Sequence, residues 1–391
     1  MGQMNTIRKI AYLKWEIIFL FSILLAFWLR DTHLQQRNEN DVLFHYPVVD
    51  ASEYHKEAES YAGKRHEWRV PIHGPLYPWL LGQIYRLTHS DPLRSRRLQM
   101  VMGFASVMLI FFGGRLIIGR RAAMLSGLLL AFYRPAFLFD AELYAEVITV
   151  FLTSAAALLI ILMGRKGTWK MAIPLGLTLG LCALSRTNLI VLLPLSTALV
   201  IWQIKGPRVK KWGLGCLVLI IGLLPIAPVT FLNYRTTGDF ILIQGRTGHN
   251  LYQANHPGSD GTVDIRPGPA FQSFLRRPIV EANALGPKAE SDYYLKKFRQ
   301  FVFRHPVEFL LLLSKKAWNS LSPVEIPASY DPEGQQRFSW VARQPQPGFA
   351  SILPFLIVGL FRYPGDRSSF VSLSLVLLCV WSSLLLGFAA G

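Results

Sequence analysis

The sequence predicts an all-α protein that crosses a membrane about nine times. Hydrophobic residues make up 51% of the 391 positions and charged residues only 17%, a composition unlike that of soluble domains. Several apolar runs approach or exceed the roughly 20 residues that a helix needs to cross the hydrocarbon core. They predict one integral membrane domain over residues 1–391, with spans at about residues 12–29, 97–114, 122–138, 143–163, 171–186, 188–204, 212–232, 349–361 (a short one) and 370–390.

The basic residues of the short loops predict the orientation of these spans. Arg8, Lys9 and Lys14 precede or begin the first span, which lacks a small-residue cleavage site and is interpreted as an anchor with a cytoplasmic N-terminus. Short loops rich in Lys and Arg lie on the cytoplasmic side. The alternate loops agree with this orientation and carry Arg115, Arg120, Arg121, Arg165, Lys166, Lys170, Lys205, Arg208, Lys210, Lys211, Arg362 and Arg367.

The net charge of +17 is therefore interpreted as a consequence of topology. A nucleic-acid-binding protein gathers its cations on one soluble face, whereas these cations form small clusters between apolar spans. The three cysteines lie inside apolar segments, which supports neither a disulfide framework nor a thiolate metal site. We interpret Cys182, Cys216 and Cys379 as packing residues.

Two long polar segments, residues 30–96 and 233–348, are predicted to lie on the extracytoplasmic side. The second contains turn-forming residues every few positions, as in "NHPGSDGT", which predicts an irregular, ligand-facing loop. Near its end, "EFLLLLSKKAWNSLSP" places Lys315, Lys316 and Trp318 beside an apolar run. This pattern predicts a helix in the membrane interface, with lysines that extend toward water.

The first outer segment contains the densest run of acids, "YPVVDASEYHKEAESYA" at residues 46–62. Its alanines and tyrosines recur at helical spacing, which predicts a short amphipathic helix on the membrane surface with Asp50 at its start. Asp50 followed by Glu53 is the capping-box pattern, so these acids have a structural interpretation. The functional alternative, compatible with capping, is that Asp50 is a general base for an acceptor hydroxyl or a ligand for a charged substrate.

A second group of acids, Asp140, Glu142 and Glu146, lies in "YRPAFLFDAELYAEV", at the outer turn between the third and fourth predicted spans. An ionisable group at membrane depth costs at least about 2.5 kcal/mol on insertion scales, so acids here suggest function. The alternative is that they lie in headgroup water or cap the fourth span. The sequence alone leaves both interpretations open.

Cations accompany both acidic groups. Arg69 and His73 lie in "WRVPIHGPLYPWLL", where the prolines predict a fixed turn before a short helix. Cations beside an apolar surface suit a phosphate on a lipid carrier, although a lone histidine in a turn is more often structural. Arg186, at the outer end of the fifth span, either extends to the interface, pairs with Asp50 or Asp140, or binds an anionic headgroup.

In their order and spacing these segments resemble the GT-C glycosyltransferases that use polyprenyl-phosphate sugars, in particular the bacterial family 39 or protein mannosyltransferase-like group. The matching segments are Asp50 with Tyr54, "PIHGPLYPWLL", "RPAFLFDAELYAE", "GLTLGLCALSRTNLIVLLP", "LNYRTTGDF" and "NLYQANHPGSDGT". The sequence departs from the group in two places. His73, Gly74 and Pro75 stand where many relatives carry Lys-Pro-Pro or a similar basic residue, and no sizeable C-terminal region follows the last predicted span.

The resemblance implies a GT-C-like fold, with short interfacial helices in the first outer segment, in the bacterial inner membrane. It implies transfer of a sugar from a polyprenyl-phosphate donor to a lipid, glycan or protein acceptor at the extracytoplasmic face. The catalytic base would be Asp50, assisted by Asp140 or Glu142. The predicted substrate-binding residues are Tyr54, Arg69, His73, Arg186 and Arg235.

The chemistry of this transfer requires an activated hydroxyl on one side of the sugar and cations beside the departing phosphate, with inversion at the anomeric carbon. The sequence identifies no certain cofactor, and Mg²⁺ or Mn²⁺ between Asp50 and Asp140 is a compatible alternative. A transporter or flippase of lipid-linked sugar is the main rival, and a non-catalytic assembly protein is another. Transporters place their sites at the bilayer midplane between paired repeats, whereas these candidates gather at one face.

Overall fold

The computed structural model describes residues 2–63, 67–262, 265, 268–321, 331, 333–349 and 351–355. Over these residues the fold is all-helical, as predicted, and they contain no β-strand. The first part of the chain forms α1 (Gly2–Asn40), α2 (Val42–His45), α3 (Val49–Ala62), α4 (Leu76–Thr88), α5 (Pro92–Ile117), α6 (Arg120–Phe132), α7 (Arg134–Phe139), α8 (Glu146–Lys166), α9 (Trp169–Ser185), a 3-10 turn (Thr187–Val191), α10 (Leu192–Gln203), α11 (Arg208–Leu223) and α12 (Ile226–Thr237).

Three helices in the described part of the chain are long and apolar enough to cross a membrane: Lys14–Asn40 within α1, α5 and α8. The helices α11 and α12 form a fourth candidate that is bent by 41°. The bend falls at Pro225, which cannot donate a backbone hydrogen bond to the preceding turn. The helix α9 and the run Thr187–Gln203 are apolar but shorter.

The third predicted span, residues 122–138, is broken into two helices. Tyr133 ends α6, and Pro135 lies in the first turn of α7. A helix tolerates proline in its first turn but not in its interior, so a new helix begins here. With 13 residues, α6 is shorter than a usual crossing. Of the last two predicted spans, residues 349–361 are described only in part and residues 370–390 lie outside the described residues. Nine crossings therefore remain a prediction.

The prediction of an irregular loop over residues 233–348 is wrong for much of that segment. It contains α13 (Thr247–Ala254), α14 (Pro269–Ala282), α15 (Pro287–Arg304), α16 (Pro306–Ser320), a 3-10 turn (Gly334–Arg337) and α17 (Trp340–Arg343). The glycines and prolines that suggested turns mark helix boundaries instead. Gly268, Gly286 and His305 each stand directly before a proline that begins a helix.

The predicted helix around "EFLLLLSKKAWNSLSP" is present as α16, but its two lysines differ in environment. Lys315 is exposed, whereas Lys316 is fully buried and donates a hydrogen bond from Nζ to Asn255 Oδ1 at 2.9 Å. The prediction that Lys316 extends toward water is therefore wrong. Its position one residue further along turns the side chain by about 100° around the helix, toward α13 and the loop that follows it.

The helices α9 and α11 pack closely against each other. A Cβ added to Gly180 would lie 2.2 Å from the carbonyl oxygen of Gly222, so the two backbones approach at the distance that only glycine permits. Small residues at such crossings are typical of membrane helices. The last residue of α9 is Ser185, so this packing also fixes where Arg186 leaves the helix.

Candidate functional site

The acidic helix α3 begins one residue before Asp50. Val48 occupies the N-cap position and Asp50 lies in the first turn, so the predicted capping box of Asp50 and Glu53 is wrong. The helix starts earlier than the capping pattern required, which leaves the carboxylate of Asp50 near the positive end of the helix dipole. Val49 has a φ of +54°, a costly conformation for a β-branched residue, and such strain clusters at functional sites.

Asp50, Glu53 and His73 form what we term the acid–histidine cluster. One ligand-type atom from each residue lies within 4.8 Å of the other two. The Nε2 of His73 donates to Glu53 Oε2 at 2.8 Å, and this hydrogen bond holds the pKa of Glu53 below its usual value. Two sequence-predicted residues from separate segments, Asp50 and His73, are thus brought together.

Tyr54 connects this cluster to the aromatic core beneath it. Its side chain is buried, and its ring centroid lies 4.9 Å from that of His73, 5.0 Å from that of Tyr77 and 6.3 Å from that of Tyr144. Burial raises the pKa of the Tyr54 hydroxyl, against the opposing charge of Arg186. Tyr54 therefore remains protonated at neutral pH.

Two arginines lie around the cluster. Arg186 forms an ion pair with Glu146, and both side chains are a quarter exposed. Arg246, at the N-cap of α13, places a guanidinium nitrogen 3.9 Å from Glu53 Oε1. The cations beside the acids of α3 therefore include Arg246, a residue of the second long polar segment (residues 233–348).

Arg69 and Arg235 are placed differently from the other predicted ligands. Both side chains are exposed, and Arg235 lies in the last turn of α12. In the part of the chain that the structure describes, neither has an ion pair with an acid of α3. Their predicted contact with substrate stays a prediction.

Asp140 and Glu142 lie in a separate, more buried network. Asp140 forms an ion pair with Arg30, and both side chains are at most 3% exposed. Arg37 lies 3.1 Å from Glu142 Oε1, and Gln335 donates to the same oxygen at 2.7 Å. These contacts tie the turn after α7 to the C-terminal part of α1 and to the long polar segment of residues 233–348.

A hydrogen-bond chain joins this network to the aromatic core below the cluster. The Tyr77 hydroxyl donates to Gln99 Oε1 at 2.7 Å, and Gln99 Nε2 donates to the carbonyl oxygen of Glu142 at 2.7 Å. Tyr77 in turn contacts Tyr54. The two acidic groups are thus joined through buried side chains, while Asp140 and Glu142 keep their arginine partners.

The sequence analysis missed Glu57 and Arg246 as site residues and gave Glu53 only a capping role. Glu57 lies four positions after Glu53 and seven after Asp50, so helical spacing places it on the same face of α3. That spacing could have identified it. Arg246 and the pairing role of Glu146 had no local signal, because each depends on a contact between distant segments.

Glu57 gives the site a pH-dependent element. Burial raises the pKa of Glu57 to about 7, with a further contribution from Glu53 and an opposing one from His73. Because this pKa exceeds the usual value of 4.5, the folded state holds more protons between these two pH values, and stability falls as pH rises through that window. We expect Glu57→Gln to raise the Tm by a few degrees at pH 8, equivalent to about 1–3 kcal/mol, and to leave it nearly unchanged at pH 5. Thermal unfolding at both pH values checks this, and equal shifts at both would contradict it.

Gly74 fixes the turn that carries His73 against the end of α9. A Cβ at this position would lie 2.3 Å from the carbonyl oxygen of Ser185 and 2.5 Å from that of Leu184. We expect Gly74→Ala to displace this turn, to destabilise the protein by about 1–3 kcal/mol and to lower any activity that depends on His73 and Arg186. The matched control is Gly213→Ala, because a Cβ there meets nothing within 4 Å. Thermal unfolding of both variants checks this, and equal stability would argue against the close approach.

Part of the chain matches a known protein family. Residues 72–231 match the family model described as dolichyl-phosphate-mannose-protein mannosyltransferase. Over these residues the chain is similar to that family. The match covers less than half of the chain, from His73 through Arg186 to α12. It begins beyond Asp50, so the role of Asp50 in a GT-C-type reaction is a proposal.

The chain is also similar to a solved structure, the oligosaccharyltransferase of Archaeoglobus fulgidus in complex with Zn and sulfate. The sequence identity is 14% and the TM-score is 0.45, over 93% of this chain and 48% of that one. This chain therefore spans about half the length of that relative. No curated protein matches the chain.

Proposed function

We propose that this protein is a membrane glycosyltransferase, and that it transfers a sugar from a polyprenyl-phosphate carrier to an acceptor hydroxyl at the extracytoplasmic face. The observation that carries the proposal is the convergence of Asp50, Glu53 and His73 with Arg186 and Arg246 nearby. A carboxylate and several cations in one partly exposed site suit a reaction in which a hydroxyl is deprotonated and a phosphate departs. The family match to residues 72–231 supports the same class of reaction.

In the proposed reaction Asp50 accepts the proton of the acceptor hydroxyl as its oxygen attacks the anomeric carbon. The bond from that carbon to the phosphate oxygen breaks, the configuration inverts, and polyprenyl phosphate leaves with the electron pair. Arg186 and Arg246 stabilise the negative charge on that phosphate, and the exposed Arg69 and Arg235 contribute as the substrate enters or leaves. His73 positions the sugar, and the buried ring of Tyr54 holds His73 in place.

Asp140 and Glu142 assist as positioning residues in this proposal. Their basic partners, Arg30 and Arg37, hold the turn between α7 and α8. That turn leads directly into Glu146, the partner of Arg186. A fixed turn therefore keeps the cation at the phosphate in place.

A divalent cation fits the acid–histidine cluster better than a bridge from Asp50 to Asp140, because the structure gathers Asp50 with Glu53 and His73. Two carboxylates and an imidazole suit Mn²⁺ better than Mg²⁺, which prefers oxygen ligands alone. Such an ion would supply a positive charge beside the departing phosphate. The residues of the cluster would hold it in place of the hydrogen bond between His73 and Glu53.

Chelation tests the proposed cation. We expect excess EDTA to lower sugar transfer by the purified protein, and added Mn²⁺ to restore it. His73→Gln is expected to raise the Mn²⁺ concentration needed for half-maximal activity, whereas His89→Gln, at the exposed end of α4, leaves it unchanged. Full activity in excess chelator would show that the reaction needs no such ion.

The proposed function is tested with purified protein in liposomes that contain radiolabelled polyprenyl-phosphate sugars. We expect label to pass from one of these donors to an acceptor, with release of polyprenyl phosphate in equal amount. Donors linked through a nucleoside diphosphate are expected to give no product. Movement of the lipid-linked sugar between leaflets without transfer would instead support the transporter alternative.

A further inference from the structure

Asn233 of α12 is a fully buried polar residue to which the proposed reaction gives no role. Its Nδ2 donates hydrogen bonds to the carbonyl oxygens of Ile241 and Ile243, both at 3.0 Å. Its Oδ1 accepts a hydrogen bond from Trp68 Nε1, also at 3.0 Å. Both N–H groups and the oxygen of the amide are thus engaged. Asn233 therefore joins two stretches of chain that are distant in sequence, one around Trp68 and one at residues 239–245.

Each stretch leads to a basic side chain beside Glu53. His73 lies five residues after Trp68, and Arg246 lies three residues after Ile243. The Nε2 of His73 donates to Glu53 Oε2 at 2.8 Å, and a guanidinium nitrogen of Arg246 lies 3.9 Å from Oε1 of the same carboxylate. The two basic side chains at Glu53 thus come from the two stretches that Asn233 joins.

The two stretches also contact each other directly. The backbone N–H of Gly245 donates to the carbonyl oxygen of Pro71 at 3.0 Å, and a Cβ added to the buried Gly245 would lie 3.1 Å from Val70 Cγ1. Gly245 stands one residue before Arg246, and Pro71 stands two residues before His73. A displacement of residues 239–245 is therefore passed on to the guanidinium group at Glu53.

We propose that Asn233 is a positioning residue for sugar transfer, which holds Arg246 beside Glu53. The inference rests on the proposed function. Residues 239–245 lie between α12 and α13 and belong to neither helix, so their carbonyl oxygens have no helical partners. The Asn233 amide replaces such partners at two of them and fixes the backbone that leads to Arg246. A cation stabilises a departing phosphate only when it is held in the right place.

A double-mutant cycle on sugar transfer tests this inference, with rates taken per folded molecule. Asn233→Leu keeps the branched shape of the side chain but removes its hydrogen bonds. We expect it to lower kcat/KM about 10- to 100-fold, the effect of a misplaced catalytic group. Arg246→Gln is expected to lower kcat/KM about 10²-fold. The variant with both changes is expected to be no slower than Arg246→Gln alone, because Asn233 acts through Arg246.

Thr236→Val is the matched control on the same helix. Thr236 is exposed, and its hydroxyl donates to the carbonyl oxygen of Leu232 within α12 at 2.8 Å. We expect this variant to keep the wild-type kcat/KM. Gly245→Ala displaces residues 239–245 without changing Asn233, because its Cβ meets Val70. We expect it to slow transfer in the wild-type background and to have no further effect once Arg246 is replaced.

Hydrogen exchange of residues 239–246 reports the geometry independently of activity. We expect the Gly245 amide to exchange faster in Asn233→Leu than in the wild type or in Thr236→Val. Unchanged exchange, an unchanged kcat/KM in Asn233→Leu, or effects that multiply in the double variant would each overturn the inference. Absence of transfer by the wild-type protein would instead overturn the proposed function.

Discussion

Asp50→Asn is expected to reduce sugar transfer by 10²- to 10⁴-fold, the usual contribution of a positioned general base. Asparagine has nearly the same shape as aspartate but cannot accept the proton of the acceptor hydroxyl. Because Asp50 does not cap α3, the substitution removes no capping hydrogen bond. Initial rates of transfer in liposomes measure the effect, with the amount of folded protein in the membrane fraction determined in parallel.

Glu59→Gln is the matched control for this substitution. Glu59 lies on the same helix, is about half exposed and interacts with His55 instead of the acid–histidine cluster. We expect it to retain nearly full activity. Undiminished transfer by Asp50→Asn would remove Asp50 from the mechanism. An equal loss in Glu59→Gln would indicate that transfer depends on the total charge of α3 and not on the carboxylate of Asp50.

Asp140→Asn is expected to destabilise the protein by about 3–5 kcal/mol, because it leaves the buried charge of Arg30 without its partner. Both side chains are almost fully buried, so water cannot replace the lost carboxylate. The Tm is expected to fall by roughly 10 °C. Thermal unfolding in detergent measures this loss. Transfer activity per folded molecule, measured well below the Tm, is expected to fall much less than in Asp50→Asn.

Asp31→Asn provides the comparison for this buried pair. Asp31 also forms an ion pair with an arginine, Arg97, at 2.6 Å, but both side chains are partly exposed. Exposed pairs contribute about 0–1 kcal/mol, so the Tm should change little. If Asp140→Asn unfolds at the wild-type temperature but loses transfer as completely as Asp50→Asn, Asp140 acts in catalysis and not through Arg30.

The membrane class and the all-helical fold could be predicted because they depend on local composition. Runs of apolar residues identify helices wherever they occur, and proline positions explain the departures. Pro135 divides the third predicted span and Pro225 bends the seventh. The helices of the second outer segment were missed, because the same glycines and prolines are compatible with loops and with helix boundaries.

The candidate site could be predicted only where its residues share a local pattern. Asp50 and Tyr54 share a face of α3, and His73 stands out as a cation in a proline-rich turn. Arg246 joins the site through tertiary packing, which no local pattern records. The same limit applies to Asp140, whose partner Arg30 is 110 residues distant in sequence.

The most direct test of the proposed site is a cryo-electron microscopy structure of the protein with a non-hydrolysable polyprenyl-phosphate sugar. We expect the anomeric carbon to face the carboxylate of Asp50 and the phosphate to lie against Arg186 and Arg246. A sugar phosphate bound away from α3, with the acid–histidine cluster unchanged, would contradict it.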